Sequence, residues 1–287
     1  MKTLEQQIGL NWFIILCDRE FEVLSKYITS HYGIKLPRHK KLFLQSRLQK
    51  RLRELGLDSF KEYTEYVFSG QGELNEIPHM IDAICTNTTE FFRERHHFDF
   101  LLLQGLNEYF RRNGKRAISI WSAGCASGEE PYSVAMMMKE YLNGNNVDFQ
   151  ILATDISMKV LHEAKVGLYP INKINTIPVS YRKKYLLKDI GTQHEMFRIS
   201  NELRSKVNFR KFNLIQSDYG DMVIHDIIFC RNVLIYFEKD IQYWILRQLC
   251  RQLNLNGYLF LGHSETIAGF ELPLRQIMPT VYIKIDE

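Results

Sequence analysis

The sequence predicts an α/β protein: an all-helical N-terminal segment, then a mostly parallel sheet covered by helices, with a small antiparallel insertion. Three observations carry this. Residues 17–90 place apolar side chains at helical spacing and contain no strand-like run. From residue 117 onward, short apolar runs alternate with amphipathic ones, the pattern of a parallel sheet with crossover helices. Residues 170–212 break that alternation with Pro170, Pro178 and two short alternating segments.

The first helix carries Phe21, Leu24 and Ile28 at helical spacing, with Tyr27 beside them. Pro37 opens a second, where Leu44, Leu48, Leu52 and Leu55 form one stripe and Gly56 is the stop. Two more amphipathic stretches, Phe60–Phe68 and Leu74–Ile84, are separated by Gly70 and Gly72. This predicts a helical domain over residues 1–85 and a second domain over 86–287. In the latter, Ala117–Ala123, Phe149–Thr154, His225–Cys230, Gly257–Gly262 and Thr280–Ile285 read as strands. Pro131–Leu142, Ser157–Lys165 and Lys239–Leu253 read as helices. Met196–Ser200 and Lys206–Phe212 read as strands of the insertion, placed at about residues 172–212.

Composition excludes several classes. Hydrophobic residues make up 45% of the 287 and charged residues 24%, as in soluble globular proteins. The net charge of +4 does not by itself point to nucleic acid. The early apolar run Ile8–Cys17 is broken by Gly9 and Asn11 and falls short of the ~18 residues a membrane span requires. It has no cleavage pattern, so neither membrane insertion nor a signal peptide is expected. The five cysteines are widely spaced with no C-x-x-C, which argues against disulfides and structural zinc and for a reducing, cytoplasmic setting. His96-His97 and the pair His263, Glu265 lack the H-x-x-x-H spacing of a helical zinc site, so no metal is expected.

Charge is unevenly spread. From Lys35 to Arg53 there are eight Lys or Arg and no Asp or Glu. Lys40, Arg47, Lys50 and Arg51 fall in one arc beside the leucine stripe, although Glu54 shares it. Such a run is commonly a solvated face; its strength here suggests an acidic partner. No helix-turn-helix, zinc finger or RNA-binding aromatic motif supports nucleic acid.

The sharpest local signal is the loop Trp121–Ser133, with Gly124 and Gly128 between a strand and a helix that has Pro131 in its first turn. It lacks G-x-G-x-x-G and G-x-x-x-x-G-K-[ST], and Glu129 and Glu130 stand where a pyrophosphate would sit. Acids there suit a ligand with hydroxyls, an ammonium or a sulfonium, which weighs against NAD and ATP. Asp155 ends the second strand, placed either to accept from ribose hydroxyls or to cap the helix that follows.

Four motifs together carry a resemblance. Asn87-Thr88-Thr89-Glu90-Phe91-Phe92-Arg93, leading into His97-Phe98, resembles the N-x-T-x-F-F-R motif of the CheR family of chemotaxis receptor glutamate methyltransferases. The Trp121–Ser133 loop looks like that family's cofactor loop. The segment 229–237 is similar to its C-R-N-V-x-I-Y-F, and Gly262-His263-Ser264-Glu265 matches its G-H-S-E. The resemblance implies an all-α N-terminal domain and a seven-stranded, Rossmann-like S-adenosylmethionine-dependent methyltransferase sheet with a small antiparallel β-subdomain. It implies that Asn87, Thr89, Arg93, Glu130, Asp155, Asn213, Leu214, Arg231 and Asn232 lie around S-adenosylmethionine, with Arg93 and Tyr236 nearest the transferring methyl. Read without the resemblance, Tyr236 is a core tyrosine and Arg93 an ion-pair partner of Glu90 or Glu94. The partners implied are cytoplasmic receptor helices bearing glutamates, and a monomer is expected. Some members of the family also bind a receptor C-terminal peptide at the β-subdomain; Gly191–Met196 leaves that undecided. Two alternatives stand beside this reading: the same fold acting on RNA or a small molecule, and a non-catalytic cofactor-binding module.

Overall fold

The computed structural model describes residues 13–144, 147–189, 195–216, 219–220 and 223–286. It divides into two compact units, Met1–Cys85 and Thr86–Glu287. Of the early apolar run, residues 8–12 lie outside the described residues, as do 190–194, which include most of the Gly191–Met196 segment.

The first unit is helical: α1 (Asp18–Tyr32), α2 (Lys41–Leu55), α3 (Phe60–Val67), α4 (Gly70–Asn75) and α5 (Ile77–Ile84). Each buries its apolar stripe: Phe21, Leu24 and Ile28 from α1, Leu44, Leu48 and Leu52 from α2, Ile77, Met80, Ile81 and Ile84 from α5. Gly33 and Gly56 close α1 and α2 in the left-handed conformation that glycine adopts without steric cost. Pro37 precedes a 3₁₀ turn, Arg38–Lys40, before α2 begins. The stretch expected as one helix from Leu74 is two. Gly72 packs so closely on the preceding turn that a Cβ there would stand 1.8 Å from the Tyr66 carbonyl oxygen, and Leu74 is exposed. Glu76 is buried and accepts from Tyr63 Oη at 2.9 Å and from Arg51 at 2.9 and 2.7 Å.

The second unit opens with α6 (His96–Phe100), a π turn at Leu101–Gly105, and α7 (Leu106–Asn113). Then follow β1 (Ile118–Ala123), α8 (Glu129–Tyr141), β2 (Phe149–Asp155), α9 (Met158–Val166), β3 (Leu168–Pro170), α10 (Val179–Tyr185), β4 (Leu186–Asp189), β5 (Met196–Ile199), α11 (Asn201–Arg204), β6 (Val207–Lys211), β7 (His225–Cys230), α12 (Lys239–Arg251), β8 (Leu253–Leu261), β9 (Leu274–Met278) and β10 (Val281–Lys284). Seven strands form one sheet in the order β6-β2-β1-β7-β8-β10-β9. The first five are parallel; β10 then pairs antiparallel with β8, and β9 antiparallel with β10.

Alternation sends successive side chains to two cores. Ile118, Ile120, Ile227, Phe229 and Phe260 meet Val134, Met137 and Leu161 on one face. Trp121, Ala123, Ile228, Cys230 and Leu259 meet Ile245, Leu246 and Leu249 on the other. Burial on both faces explains the near-continuous apolar runs of β1 and β7.

The separate antiparallel sheet is β3-β5-β4, which corrects one sequence expectation. Residues 206–212 do not belong to the insertion: Val207–Lys211 pairs in parallel with β2, Ile151 opposite Val207. Val207 and Phe209 face the core while Asn208 and Arg210 are exposed. That alternation marks one-sided burial, which an edge strand of the main sheet shares with a strand of an insertion. The edge strand β9 carries no comparable sequence signal, because its middle residues are exposed and include Arg275 and Gln276.

Two expectations follow for stability. Arg51→Ala leaves the Glu76 carboxylate buried without its cation and lowers unfolding free energy by about 3 kcal/mol. Lys50→Ala, on the exposed face, changes it by less than about 0.5 kcal/mol; urea titration of both variants checks this. Separately, burial pushes His225 down to about 4, against the opposing pull of Asp226, and burial with Arg231 pushes His97 down to about 3. Both folded values lie below the unfolded one, so stability is complete above about pH 6.5 and falls as pH drops toward them. Between pH 7.5 and 5.5 the two histidines together remove about 2–3 kcal/mol. Replacing His225 with Gln halves that slope, as urea titrations across this range would register.

Candidate active site

The site lies where the sheet order reverses. Chain order carries β1 through α8 to β2 on one side, and later enters β7 on the other side of β1. The carboxyl ends of β1 and β7 therefore flank a crevice, the place where open α/β sheets bind ligands.

The glycine loop folds over the end of β2. Gly124 and Cys125 donate to the Thr154 carbonyl at 2.8 and 2.9 Å. Gly124 has φ +84°, and a Cβ there would stand 2.3 Å from Val233 Cγ2. Gly128 has φ +94°, and a Cβ there would stand 2.9 Å from Ala164 Cβ and 3.0 Å from Tyr169 Oη. The need for turning residues was legible in the sequence. The protein's own side chains, Val233 at Gly124 and Ala164 with Tyr169 at Gly128, fill the space a Cβ would take.

The two acids at the start of α8 also divide. Glu129 is fully buried and committed to Lys173 and to Ser127 Oγ, 2.7 Å away. Its charge is spent on the small β-sheet region, and Tyr169 Oη reinforces this tie by donating to the Ser127 carbonyl at 2.7 Å. Glu130 accepts from Ser122 Oγ at 2.7 Å and from Arg231 Nη1 at 3.2 Å. Burial pushes the Glu130 carboxyl up, opposed by Arg231 and Ser122. Asp155 is bound at both oxygens: Oδ1 accepts from Ser157 N at 3.0 Å, and Oδ2 from Ala126 N at 2.9 Å in the glycine loop. Ser157 itself caps α9.

Arg231, at the end of β7, gathers the rest. Nη1 reaches Glu130, Nη2 donates to the Arg93 carbonyl, and Nη2 lies 3.4 Å from Glu94 Oε2. The Asn87–Arg93 segment is thereby tied to the end of β7, and Phe92 N ties it to α8 by donating to Ser133 Oγ at 2.9 Å. Phe92 and Glu94 both have φ +55°, a backbone conformation that non-glycine residues adopt only when held. Asn87 and Thr89 are half-buried on this segment, and Arg93 Nη1 donates to the Thr88 carbonyl at 3.1 Å. Glu94 faces Arg231 and His263 Nδ1, 2.9 Å away, rather than Arg93. Burial works to raise its carboxyl, but His263 and Arg231 hold it down at about 2.

Asn213 follows β6, and its Oδ1 accepts from Ile215 N at 3.2 Å. Leu214 buries its side chain with Trp121 and Phe212. Asn232 has φ +58° directly after Arg231. Tyr236, half-buried, ends the 3₁₀ turn Leu234–Tyr236. Sequence reasoning did not single out Ser133, Glu94 or Lys173 as site residues; only the polar identity of each was visible, without a spacing to mark it.

Among the described residues, Glu94, His96 and His97 place ligand-type atoms within 4.8 Å of one another. Arg231 already faces the same Glu94 carboxylate and opposes a second cation there.

In the first unit, Arg47 is exposed over the Phe43 ring at 5.1 Å, Lys50 is exposed, and Lys40 is half-buried. Arg51 departs from the arc read in the sequence: its side chain is 17% exposed and turned to Glu76. Of the arc, Lys40, Arg47 and Lys50 remain outward, with Lys50 3.5 Å from Glu54 Oε1.

A parallel sheet of this order, with a reversed edge and a glycine loop at its switch point, is the architecture of S-adenosylmethionine-dependent methyltransferases. Residues 87–283 match the family model described as CheR methyltransferase, SAM binding domain, and residues 19–85 match CheR methyltransferase, all-alpha domain. The chain belongs to the CheR methyltransferase family. It is 40% identical to a chemotaxis protein methyltransferase of Borreliella burgdorferi over 99% of this chain and 100% of that one. It is 36% identical to chemotaxis protein methyltransferase 2 of Pseudomonas aeruginosa, over 92% of each chain. With a chemotaxis protein methyltransferase of Salmonella typhimurium it shares 35%, over 94% of this chain and 91% of that one. No helix among the described residues is long and apolar enough to cross a membrane.

Gly124→Ala forces both a strained φ and a collision with Val233, and lowers unfolding free energy by about 2–4 kcal/mol. The double variant with Val233→Ala recovers part of the loss, which thermal denaturation of the two proteins measures.

Proposed function

We propose that this protein transfers a methyl group from S-adenosylmethionine to glutamate side chains of chemotaxis receptors, forming methyl esters. The observation that carries the proposal is the Arg231 junction, which brings the Asn87–Arg93 segment to the carboxyl ends of β1 and β7. The full-length similarity to chemotaxis protein methyltransferases supports the choice of receptor as substrate.

The cofactor supplies a methyl group activated by a sulfonium. The residues present fit such a group. Glu130 and Asp155 bring carboxylates to the crevice, which suit a sulfonium and ribose hydroxyls and repel a pyrophosphate. In this reading Asn87, Thr89, Arg93, Glu130, Asp155, Asn213, Arg231 and Asn232 surround the cofactor, and Leu214 lines it through backbone.

The acceptor carboxylate has a reference pKa of ~4.3 and is ionised at neutral pH, so the reaction needs no general base. What the protein contributes is alignment, which can remove on the order of 7–11 kcal/mol of barrier. Nucleophile and leaving group both lose charge as the bond forms, so tight pairing of the carboxylate with a cation would oppose the step. Arg93 and Tyr236 act by orienting the carboxylate and the cofactor, without pairing tightly with the carboxylate. The first unit recognises the receptor through Lys40, Arg47 and Lys50 against an acidic helix, with the protein a cytoplasmic monomer. Arg51 joins that surface only by holding α2 in place through Glu76.

Incubation with labelled S-adenosylmethionine and a receptor cytoplasmic fragment should yield label that base releases, as an ester requires. Stable label, or label on RNA alone, would overturn the proposal. Arg93→Ala and Tyr236→Phe should each lower turnover at saturating cofactor by about 10- to 1000-fold; wild-type turnover in both removes them from the reaction. Arg47→Glu should weaken receptor methylation while leaving S-adenosylhomocysteine affinity intact.

A further inference from the structure

Glu265 is buried, 7% exposed, and lies outside the set of residues assigned above to cofactor or acceptor. Its carboxylate is saturated by backbone. Oε1 accepts from Val233 N at 2.8 Å and Leu234 N at 2.6 Å; Oε2 accepts from Asn232 N at 2.9 Å and Gly262 N at 2.6 Å. Three of the four donors are consecutive amides of the loop that leaves β7, and the fourth directly follows the neighbouring strand β8. A carboxylate that accepts from consecutive amides fixes the direction of each of them.

That loop contains Asn232 at φ +58° and ends in the 3₁₀ turn that presents Tyr236. Asparagine enters the left-handed region more readily than other side chains, and the position is kept where neighbours hold it. The hold is tight on both sides: a Cβ at Gly262 would stand 2.4 Å from Asn232 Nδ2, 2.7 Å from Asn232 N and 2.9 Å from Glu265 Oε2. The bare Gly262 thus makes room for the Asn232 amide to reach the carboxylate.

We infer that Glu265 is a positioning residue for the cofactor site: it clamps the β7 loop to β8 and sets the orientation of Asn232 and Tyr236. The inference rests on the roles proposed for those two residues, Asn232 beside the cofactor and Tyr236 at the acceptor carboxylate. A control exists at the opposite ends of the same strands. Asp226 is also buried and accepts from a backbone amide, Ser119 N at 2.8 Å, but its other donors are side chains: Asn254 Nδ2 at 2.7 Å, Tyr109 Oη and the Arg116 guanidinium. It anchors the fold at the end of the sheet away from the crevice.

The test compares Glu265→Gln with Asp226→Asn in the full chain. Each swap sets an amide NH₂ against donors that had faced oxygen, so each lowers the melting temperature. Below both melting temperatures, S-adenosylhomocysteine affinity is measured by calorimetry. Glu265→Gln should weaken it by about 5- to 100-fold, from amides left unpaired, and Asp226→Asn by less than about twofold. Equal affinities in the two variants would overturn the clamp. Should wild type itself fail to bind S-adenosylhomocysteine, the cofactor reading fails first, and the clamp with it. Amide hydrogen exchange of wild type without cofactor covers the case in which Glu265→Gln does not fold. Protection of the 232–234 amides supports the clamp, and exchange at the rate of open loops overturns it.

Discussion

One buried guanidinium organises the site. Arg231 has only 2% of its side chain exposed, and a charge so placed is stable only where its surroundings compensate it. Here the compensation comes from two stretches of chain far from it in sequence: the Glu130 carboxylate of α8, and the Arg93 carbonyl with the Glu94 carboxylate just before α6. The requirement to satisfy Arg231 is therefore also the requirement that brings the start of α8 and the Asn87–Arg93 segment to the carboxyl end of β7.

A second layer of backbone constraint surrounds that charge. Glycines 124 and 128 carry positive φ, and Val233 beside one and Ala164 with Tyr169 beside the other leave no room for a side chain. Phe92, Glu94 and Asn232 adopt positive φ without being glycine. In each case a named hydrogen bond accompanies the strain: Phe92 N to Ser133, Glu94 to His263, Asn232 N to Glu265. Strain held in this way fixes geometry at a site whose chemistry depends on alignment rather than proton transfer.

Much of this was legible in the sequence. The leucine stripe of α2, the apolar runs of β1 and β7 and the glycine loop each have a spacing that matches one kind of backbone. The side-chain pairings were not legible, because they span large sequence separations. Nothing near Glu129 announces Lys173, and nothing near Arg51 announces Glu76, so two charges that read as available turn out to be spent internally. Strand β6 departs from its sequence reading for a related cause. Alternation reports how many faces are covered, and the sheet that covers them is decided by pairing with β2, far earlier in the chain.

The link between Glu129 and Lys173 has a consequence for modularity. The small antiparallel sheet looks like a removable appendage by topology, since it is a separate sheet spliced between α9 and β6. Excising it, or exchanging it for that of a relative without Lys173 and Tyr169, would strand an anion in the interior at the foot of the glycine loop. The appendage and the loop are consequently one heritable unit, and a chimera that separates them is defective in the catalytic half rather than in the graft.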